Sequence, residues 1–562
     1  MSKLRPLGPA IAALAAVFLF FSPYYNYKGL AQGHDTNLHV GNLVECSFIL
    51  RSHLPPLDWL PDIAGGRGGP NFMYYGTVYF WPPSILLWMG LDVVTAFRVW
   101  NLVISLIAIV SAFLWCSLWG GKLGGLVGSV CFIYGPYFYS LNYVRGAYPE
   151  FLAYSLYPLS LYLSHRVLMQ KTACGVLCLS IMLTVIVATH TLSLMLFVPF
   201  LVTYCIAVGT TTGNWVGIGK VCLSMLIAAI LSMPSLVSPL FELDKIVAKE
   251  QLSGKETLET FSTIGVPWHA MFNRESISEI DILSRCFPGR LHILGLVVSL
   301  FLLYDIRSVV QRRLVIIIVL GAMAALSFSE KEVASLLVNL VPPIMYVQFP
   351  WRFLGIFNLL SVAAIATVFS STRLEDAWLR SGAACVVLAL CVITYYPNLP
   401  STKGVRYKTD SREQIQRSMT TLDHENKYMP VNAKTFETQA AGVLLSAPTG
   451  QLFELPGHAN DYNYKVSFPS SCQCKFSQYW FDGWRAEVDG REISLLRDKE
   501  GLCLLSVPEG EHIVRVFFGR TGLRTAALGL SIAGWMVILA FTVQRMLLRI
   551  ISYRCLGRIS DP

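Results

Sequence analysis

The sequence predicts a polytopic α-helical membrane protein of about twelve spans, with a small extracytoplasmic β-sandwich-like domain. Three observations predict it. Of 562 residues, 54% are hydrophobic and only 14% charged, with mean hydropathy +0.53, whereas soluble domains carry about 25% charged residues. Apolar runs near the ~20 residues needed to cross a bilayer recur along the chain. Residues 397–522 break this pattern with short stretches of period-two alternation.

The candidate spans are 7–24, 99–119, 123–139, 148–165, 172–189, 191–208, 216–238, 290–305, 314–328, 353–371, 381–396 and 523–544. Basic residues in short connections mark the cytoplasmic side. Lys3 and Arg5 precede the first span, and Lys122 separates the second from the third. Arg166 and Lys171 follow the fourth, Lys220 falls between the sixth and seventh, and Arg307, Arg312 and Arg313 follow the eighth. Arg373 and Arg380 follow the tenth, and Arg545, Arg549, Arg554 and Arg558 the twelfth. Twelve spans with both termini in the cytoplasm put all of them on one face. The net charge of +9 is therefore topological, and no basic patch points to nucleic acid. The opening MSKLRPLGPAIAALAAVFLFF lacks a small-x-small cleavage site before SPYYNYKG and reads as a retained span.

The opposite face receives loop 25–98, the link NYVRGAYPE, loop 239–289, segment 329–352 and the hydrophilic region 397–522. The division is thus 1–396 as transmembrane domain, 397–522 as β-rich domain, and 523–562 as last helix and basic tail. Within the first loop, GTVYFWPPSILLWMGL (76–91) is apolar, too short to cross and interrupted by proline, so it reads as a re-entrant or interfacial helix. In the β-rich domain, YWFDGWRAEVDGREISLL and CLLSVPEGEHIVRVFFG alternate, with Asp489-Gly490 and Pro508-Glu509-Gly510 as turns. Most of the 14 cysteines lie in apolar runs and act as small hydrophobes, and none has metal-site spacing. Cys472 and Cys474 stand too close to pair with each other, leaving Cys503 as a partner for either.

Four clusters on the outer face carry chemistry. GHDTNLHV holds His34, Asp35 and His39 just beyond the first span. Asp35 precedes a helix, where its side chain can cap the first turn. His39 follows one turn later on the same face, so the two also suit a base with its orienting partner, or two ligands of a divalent metal. The spacing lacks the H-E-x-x-H pattern of zinc proteases. Arg145 and Glu150 flank the third link as an ion pair or as cavity residues, and His190 sits at the turn between two spans. In VQFPWRFLG, Arg352 suits bidentate phosphate binding, and Phe349 and Trp351 suit an interfacial belt or a lipid tail. The glycine-rich PDIAGGRGGPNFMYYG follows no strand and lacks a P-loop lysine; it reads as a flexible crossing with Arg67 open to an anion. His269 and Arg274, in GVPWHAMFNRES, read as part of a lid.

In order, GHDTNLH, GGPNFMYYGTVYFWPP, YVRGAYPEFLAYSLYPLSLY, THTLS, QFPWRFLG and FDGWRAEVDG…VPEGEHIVRVFF resemble the YfhO-like, 6-pyruvoyl-tetrahydropterin synthase-related bacterial membrane proteins. These are grouped with the GT-C superfamily of glycosyltransferases. The likeness runs over nearly the whole chain and rests on the order and spacing of the motifs. It implies a GT-C-like fold in a bacterial inner membrane, a polyprenyl-phosphate-linked sugar donor, and a cell-envelope glycan or lipid acceptor. It further implies Asp35 as the catalytic carboxylate of the first outer loop, with His39 assisting. His34, Arg67, Tyr75, Arg145, Glu150, His190, Trp351 and Arg352 make up the substrate-binding set. No cofactor is required by the likeness; a divalent metal stays open, and nothing points to pterin chemistry. Two other classes compete: a lipid or polysaccharide flippase, and a non-catalytic envelope assembly protein. A flippase requires ionisable groups and broken helices at mid-span, and mid-span positions here are nearly free of charge.

Overall fold

A computed structural model describes residues 7–557 apart from 27–28, 32, 53–56, 171, 250–266, 269–286, 399–427, 432 and 434–443. His269 and Arg274 lie outside the described residues. Each of the twelve apolar runs forms helix. In chain order the principal helices are α1 (Leu7–Phe20), α2 (Thr36–Ile49), α3 (Trp81–Trp88), α4 (Val93–Tyr134), α5 (Tyr148–Gln170), α6 (Ala173–Thr189), α7 (Leu192–Thr212) and α8 (Trp215–Leu231). They continue as α9 (Met233–Phe241), α10 (Arg290–Phe301), α11 (Val309–Phe328), α12 (Lys331–Leu340), α13 (Phe353–Thr367), α14 (Ala377–Tyr395) and α15 (Gly522–Gly557). Among the described residues six helices are long and apolar enough to cross a membrane, or seven with the bent pair α8–α9; α1, α6 and α10 are apolar but shorter.

Two of the expected spans lie within α4, which breaks at Gly120–Gly121, with Gly121 at φ 64°. A β-carbon on Gly128 would stand 2.6 Å from the Cys116 sulfur. Residues twelve apart on one straight helix are ~18 Å apart, so the chain reverses here and its arms pack face to face. The pair α8–α9 bends by 80° at Ser232, just before Pro234. Helix α13 is buried from Leu354 to Thr367 and packs on α4, α10 and α11. Helix α5 is buried from Tyr148 to Pro158. The N-terminal ends of these two core helices carry the site.

Segment 76–91 forms a short 3₁₀ turn and α3, opened by Pro82 and Pro83 and packed on α2 and α4. With 8 residues, α3 spans only ~12 Å and cannot cross a bilayer.

The described part of region 397–522 is a sandwich of two antiparallel sheets. Its strands are β1 (Leu445–Ser446), β2 (Gln451–His458), β3 (Asp461–Phe468), β4 (Cys472–Tyr479), β5 (Trp484–Val488), β6 (Arg491–Ile493), β7 (Leu495–Arg497), β8 (Leu502–Val507) and β9 (Gly510–Phe518). One sheet runs β1-β4-β8-β7 and the other β2-β3-β9-β5-β6. Asp489 and Gly490, both at positive φ, close the β5–β6 hairpin. The Pro508–Gly510 turn instead carries the chain from one sheet to the other. Between the sheets, Trp484 meets Phe476 and Phe518 edge-on, each at 5.3 Å. Cys472, Cys474 and Cys503 are buried free thiols.

Residues 59–67 fasten this sandwich to the helical part. Trp59 stacks on Phe518 at 5.1 Å, and its indole N–H donates to Gln478 at 2.8 Å. The Gln478 amide in turn donates to the carbonyls of Pro61 and Gly66. At the base of α15, buried Arg524 pairs with Glu242 at 2.9 Å; this pair joins the last helix to α9.

Candidate functional site

The turn Gly33–Thr36 is laid on the backbone of the Arg145 link. The Asp35 N–H donates to the Arg145 carbonyl at 2.8 Å, and the His34 N–H to Val144. A β-carbon on Gly33 would sit 2.5 Å from the Gly146 nitrogen, so only glycine allows this approach. The Thr36 hydroxyl holds the turn from within, donating to the Ala31 carbonyl. Asp35 occupies the N-cap position of α2, yet its side chain caps nothing. Its half-buried carboxyl is pushed above the usual carboxylate range by loss of water, with the nearby Arg145 opposing the shift. Glu150, His34 and Arg352 also act on it electrostatically.

Beside Asp35 lies a buried charge cluster centred on Glu150, in the first turn of α5, where the helix dipole favours an anion. One carboxylate oxygen accepts a short hydrogen bond from the Tyr137 hydroxyl. The other meets Arg145 at 3.0 Å and Arg352 at 3.4 Å. All three charged side chains are under 9% exposed. Arg145 lies over the Trp351 ring, 4.4 Å from its centroid, and Phe349 stacks on Trp351 at 5.2 Å. Arg352 also donates to the Val347 carbonyl and the Gln348 side chain, and Gln348 adopts a left-handed φ of 68° to permit this. The Nε of Arg352 is buried and finds no partner among the described residues. Two guanidiniums against one carboxylate leave the cluster with an excess positive charge.

A third group borders both. His39 is 1% exposed, and its two ring nitrogens have no hydrogen-bond partner among the described residues. The rings of Tyr75, Phe80 and Tyr148 surround it, each centroid 5.9 Å away. His190 is fixed by the Ser193 hydroxyl at Nδ1, 2.8 Å away, and meets the Tyr75 ring edge-on at 5.8 Å. Burial lowers both imidazoles to about 3, so both are neutral near pH 7. The Tyr428 ring lies against Tyr75, with centroids 6.1 Å apart.

The structure thus gathers Asp35, His39, Tyr75, Arg145, Glu150, His190, Trp351 and Arg352 into one neighbourhood. His34 is exposed at its rim. Arg67 goes elsewhere: its carbonyl accepts the Tyr479 N–H at 2.7 Å, and the glycine-rich loop carries it onto the sandwich. Tyr137 and Gln348 were missed in the sequence. Nothing separates Tyr137 from the chain's other tyrosines, and Gln348 is set by a backbone geometry that the QFPWR motif does not announce. Asp35 and His39 form no side-chain pair. Among the described residues no three His, Cys, Asp or Glu side chains gather closely enough to hold a metal ion.

No family model and no curated protein matches the chain. Among solved structures it matches the oligosaccharyltransferase of Archaeoglobus fulgidus in the apo form at 10% identity and a TM-score of 0.46, over 78% of this chain and 61% of that one. The same enzyme in complex with zinc and sulfate matches at 14% identity and a TM-score of 0.42, over 78% and 59%. The chain therefore spans about three fifths of that protein's length.

Proposed function

We propose that this chain is a membrane glycosyltransferase of the GT-C kind, taking a sugar from a polyprenyl-phosphate donor and passing it to a cell-envelope glycan or lipid. One observation carries the reading: the uncapped Asp35 carboxyl lies within electrostatic reach of a buried cluster that has one positive charge in excess. In this reading the chain crosses a bacterial inner membrane twelve times, with both termini inside and the site on the outer side. No nucleotide supply is expected there, so an activated sugar arrives attached to lipid.

The chemistry is a single displacement. The acceptor hydroxyl oxygen attacks the anomeric carbon while Asp35 takes its proton. The bond from that carbon to the phosphate oxygen breaks, and its electron pair leaves with the polyprenyl phosphate. Arg352, through its unpartnered Nε, and Arg145 stabilise that anion in a site with little water. Glu150, itself held by the Tyr137 hydroxyl, keeps the two guanidiniums in place. One displacement inverts the anomeric configuration. The test is a membrane assay with radiolabelled polyprenyl-phosphate sugars and the matching nucleotide sugars, with product configuration read by NMR. Label transferred from the lipid donors with inversion is the expected result; transfer only from nucleotide sugars, or with retention, would overturn the proposal.

A further inference from the structure

Outside the charge cluster, the structure holds a buried polar group that the displacement does not use. His39 presents two ring nitrogens without partners, and Asn42, three residues along the same face of α2, presents an unpartnered buried Oδ1. Buried polar atoms are almost always hydrogen-bonded, and leaving them unpaired is costly. A site that tolerates several together is one whose partner comes with a ligand or with water. The surrounding walls are flat aromatic rings, those of Phe80, Tyr148 and Tyr75. Tyr75 is half-buried, its hydroxyl makes no hydrogen bond among the described residues, and it stands between His39 and His190. It is held by ring contacts with His39, His190 and Tyr428.

We infer that His39 and His190, with Asn42, form the subsite for the sugar ring of the donor, and that Tyr75 is its cover. This rests on the glycosyltransferase reading and adds which residues recognise the sugar. A neutral imidazole accepts a hydrogen bond at one nitrogen and donates at the other, which is the pattern a sugar hydroxyl both needs and offers. It suits a phosphate poorly, because a phosphate oxygen only accepts and seeks charge. Burial holds both rings neutral, so the site divides into a cationic half for phosphate at Arg145 and Arg352 and a neutral half for hydroxyls. The aromatic walls match the C–H face of a pyranose.

The informative variant is His39→Phe, which keeps the ring and removes the nitrogens. Were His39 only a structural core residue, losing it would lower stability. A residue kept for binding gives the opposite result, because its unpaired nitrogens are a cost to the free protein. The probes are farnesyl phosphate and its glucosyl, mannosyl and galactosyl esters, bound to the purified full-length chain in detergent. The wild type should bind at least one ester more tightly than the bare phosphate. His39→Phe should lose that margin, about ten-fold for one or two hydrogen bonds. Its affinity for farnesyl phosphate and its melting temperature should not fall, and His39→Gln should recover part of the margin. A margin retained in His39→Phe overturns the subsite alone. So does a parallel loss of bare phosphate binding, or a lowered melting temperature. A wild type with no margin for any ester overturns the lipid-linked donor reading with it.

Discussion

Replacing Glu150 by Gln probes the charge cluster most sharply. The carboxylate is the shared partner of Tyr137, of Arg145 at 3.0 Å and of Arg352 at 3.4 Å, all largely out of water. Removing one partner of a buried ion pair costs about 3–5 kcal/mol, because the remaining charge is left uncompensated. Here two guanidiniums lose one anion, but Arg352 keeps its bonds to Val347 and Gln348, and both cations rest on the aromatic rings of Phe349 and Trp351. The lower end, about 3 kcal/mol, is therefore expected. The amide also turns one donor toward the cations, so the cluster's net charge rises from +1 to +2 and its demand for an anion grows. Thermal unfolding in detergent, followed with and without farnesyl phosphate, reads both effects. Ligand at one hundred times its dissociation constant stabilises by about 2.7 kcal/mol, so Glu150→Gln should melt well below the wild type and regain most of that loss on adding the lipid phosphate. A variant as stable as the wild type and indifferent to phosphate would refute the description of the cluster as a buried anion site.

Three further outcomes follow from the same geometry. Gly33→Ala puts a β-carbon 2.5 Å from the Gly146 backbone and must shift the turn that carries Asp35; an ångström of misplacement can cost ~10²-fold, so transfer should fall by at least ten-fold in membranes holding normal amounts of the protein. Since burial raises the Asp35 carboxyl and the base works only when deprotonated, the acid limb of the pH–rate profile should lie above the ordinary aspartate value of ~4; a rate still flat at that pH would contradict the assignment. His39 is lowered to about 3 by burial, whereas the unfolded chain takes up that proton near ~6.5. Stability should therefore hold above that pH and decline as pH falls through it toward about 3, and the decline should be shallower in His39→Phe when measured by pH-dependent melting.

Much of this architecture was legible. The helix–β division followed from period and charge, and the Asp489-Gly490 turn was readable because only a few residues accept positive φ at that place. The reversal inside α4 was foreseeable because Lys122, with Gly120 and Gly121 before it, interrupts two apolar runs. Arg145 and Glu150 were readable as a pair because they lie five residues apart. That Arg352 joins them was not, since no local spacing links residues two hundred positions apart; α5 and α13 both pack on α4, and the Tyr154 hydroxyl donates to the Gly355 carbonyl, which brings their N-terminal ends together. Arg67 shows the opposite failure. Its glycine-rich setting resembles an anion cradle, but Gln478 on β4 draws that loop onto the sandwich through the Trp59 indole and two backbone carbonyls. For Asp35 the helix start was legible and the free carboxyl was not, because capping depends on a rotamer that sequence leaves open.

The account turns on Asp35 as the base, and one measurement tests it most directly. Membranes containing wild type or Asp35→Asn, matched for the amount of full-length chain, are supplied with a radiolabelled polyprenyl-phosphate sugar that the wild type uses, and transfer to envelope acceptor is followed over time. Losing a general base costs ~10²–10⁴-fold. The account predicts a fall in that range, with binding of bare farnesyl phosphate retained because the Arg145–Glu150–Arg352 cluster is intact. Asp35→Asn membranes that transfer sugar at the wild-type rate would contradict it.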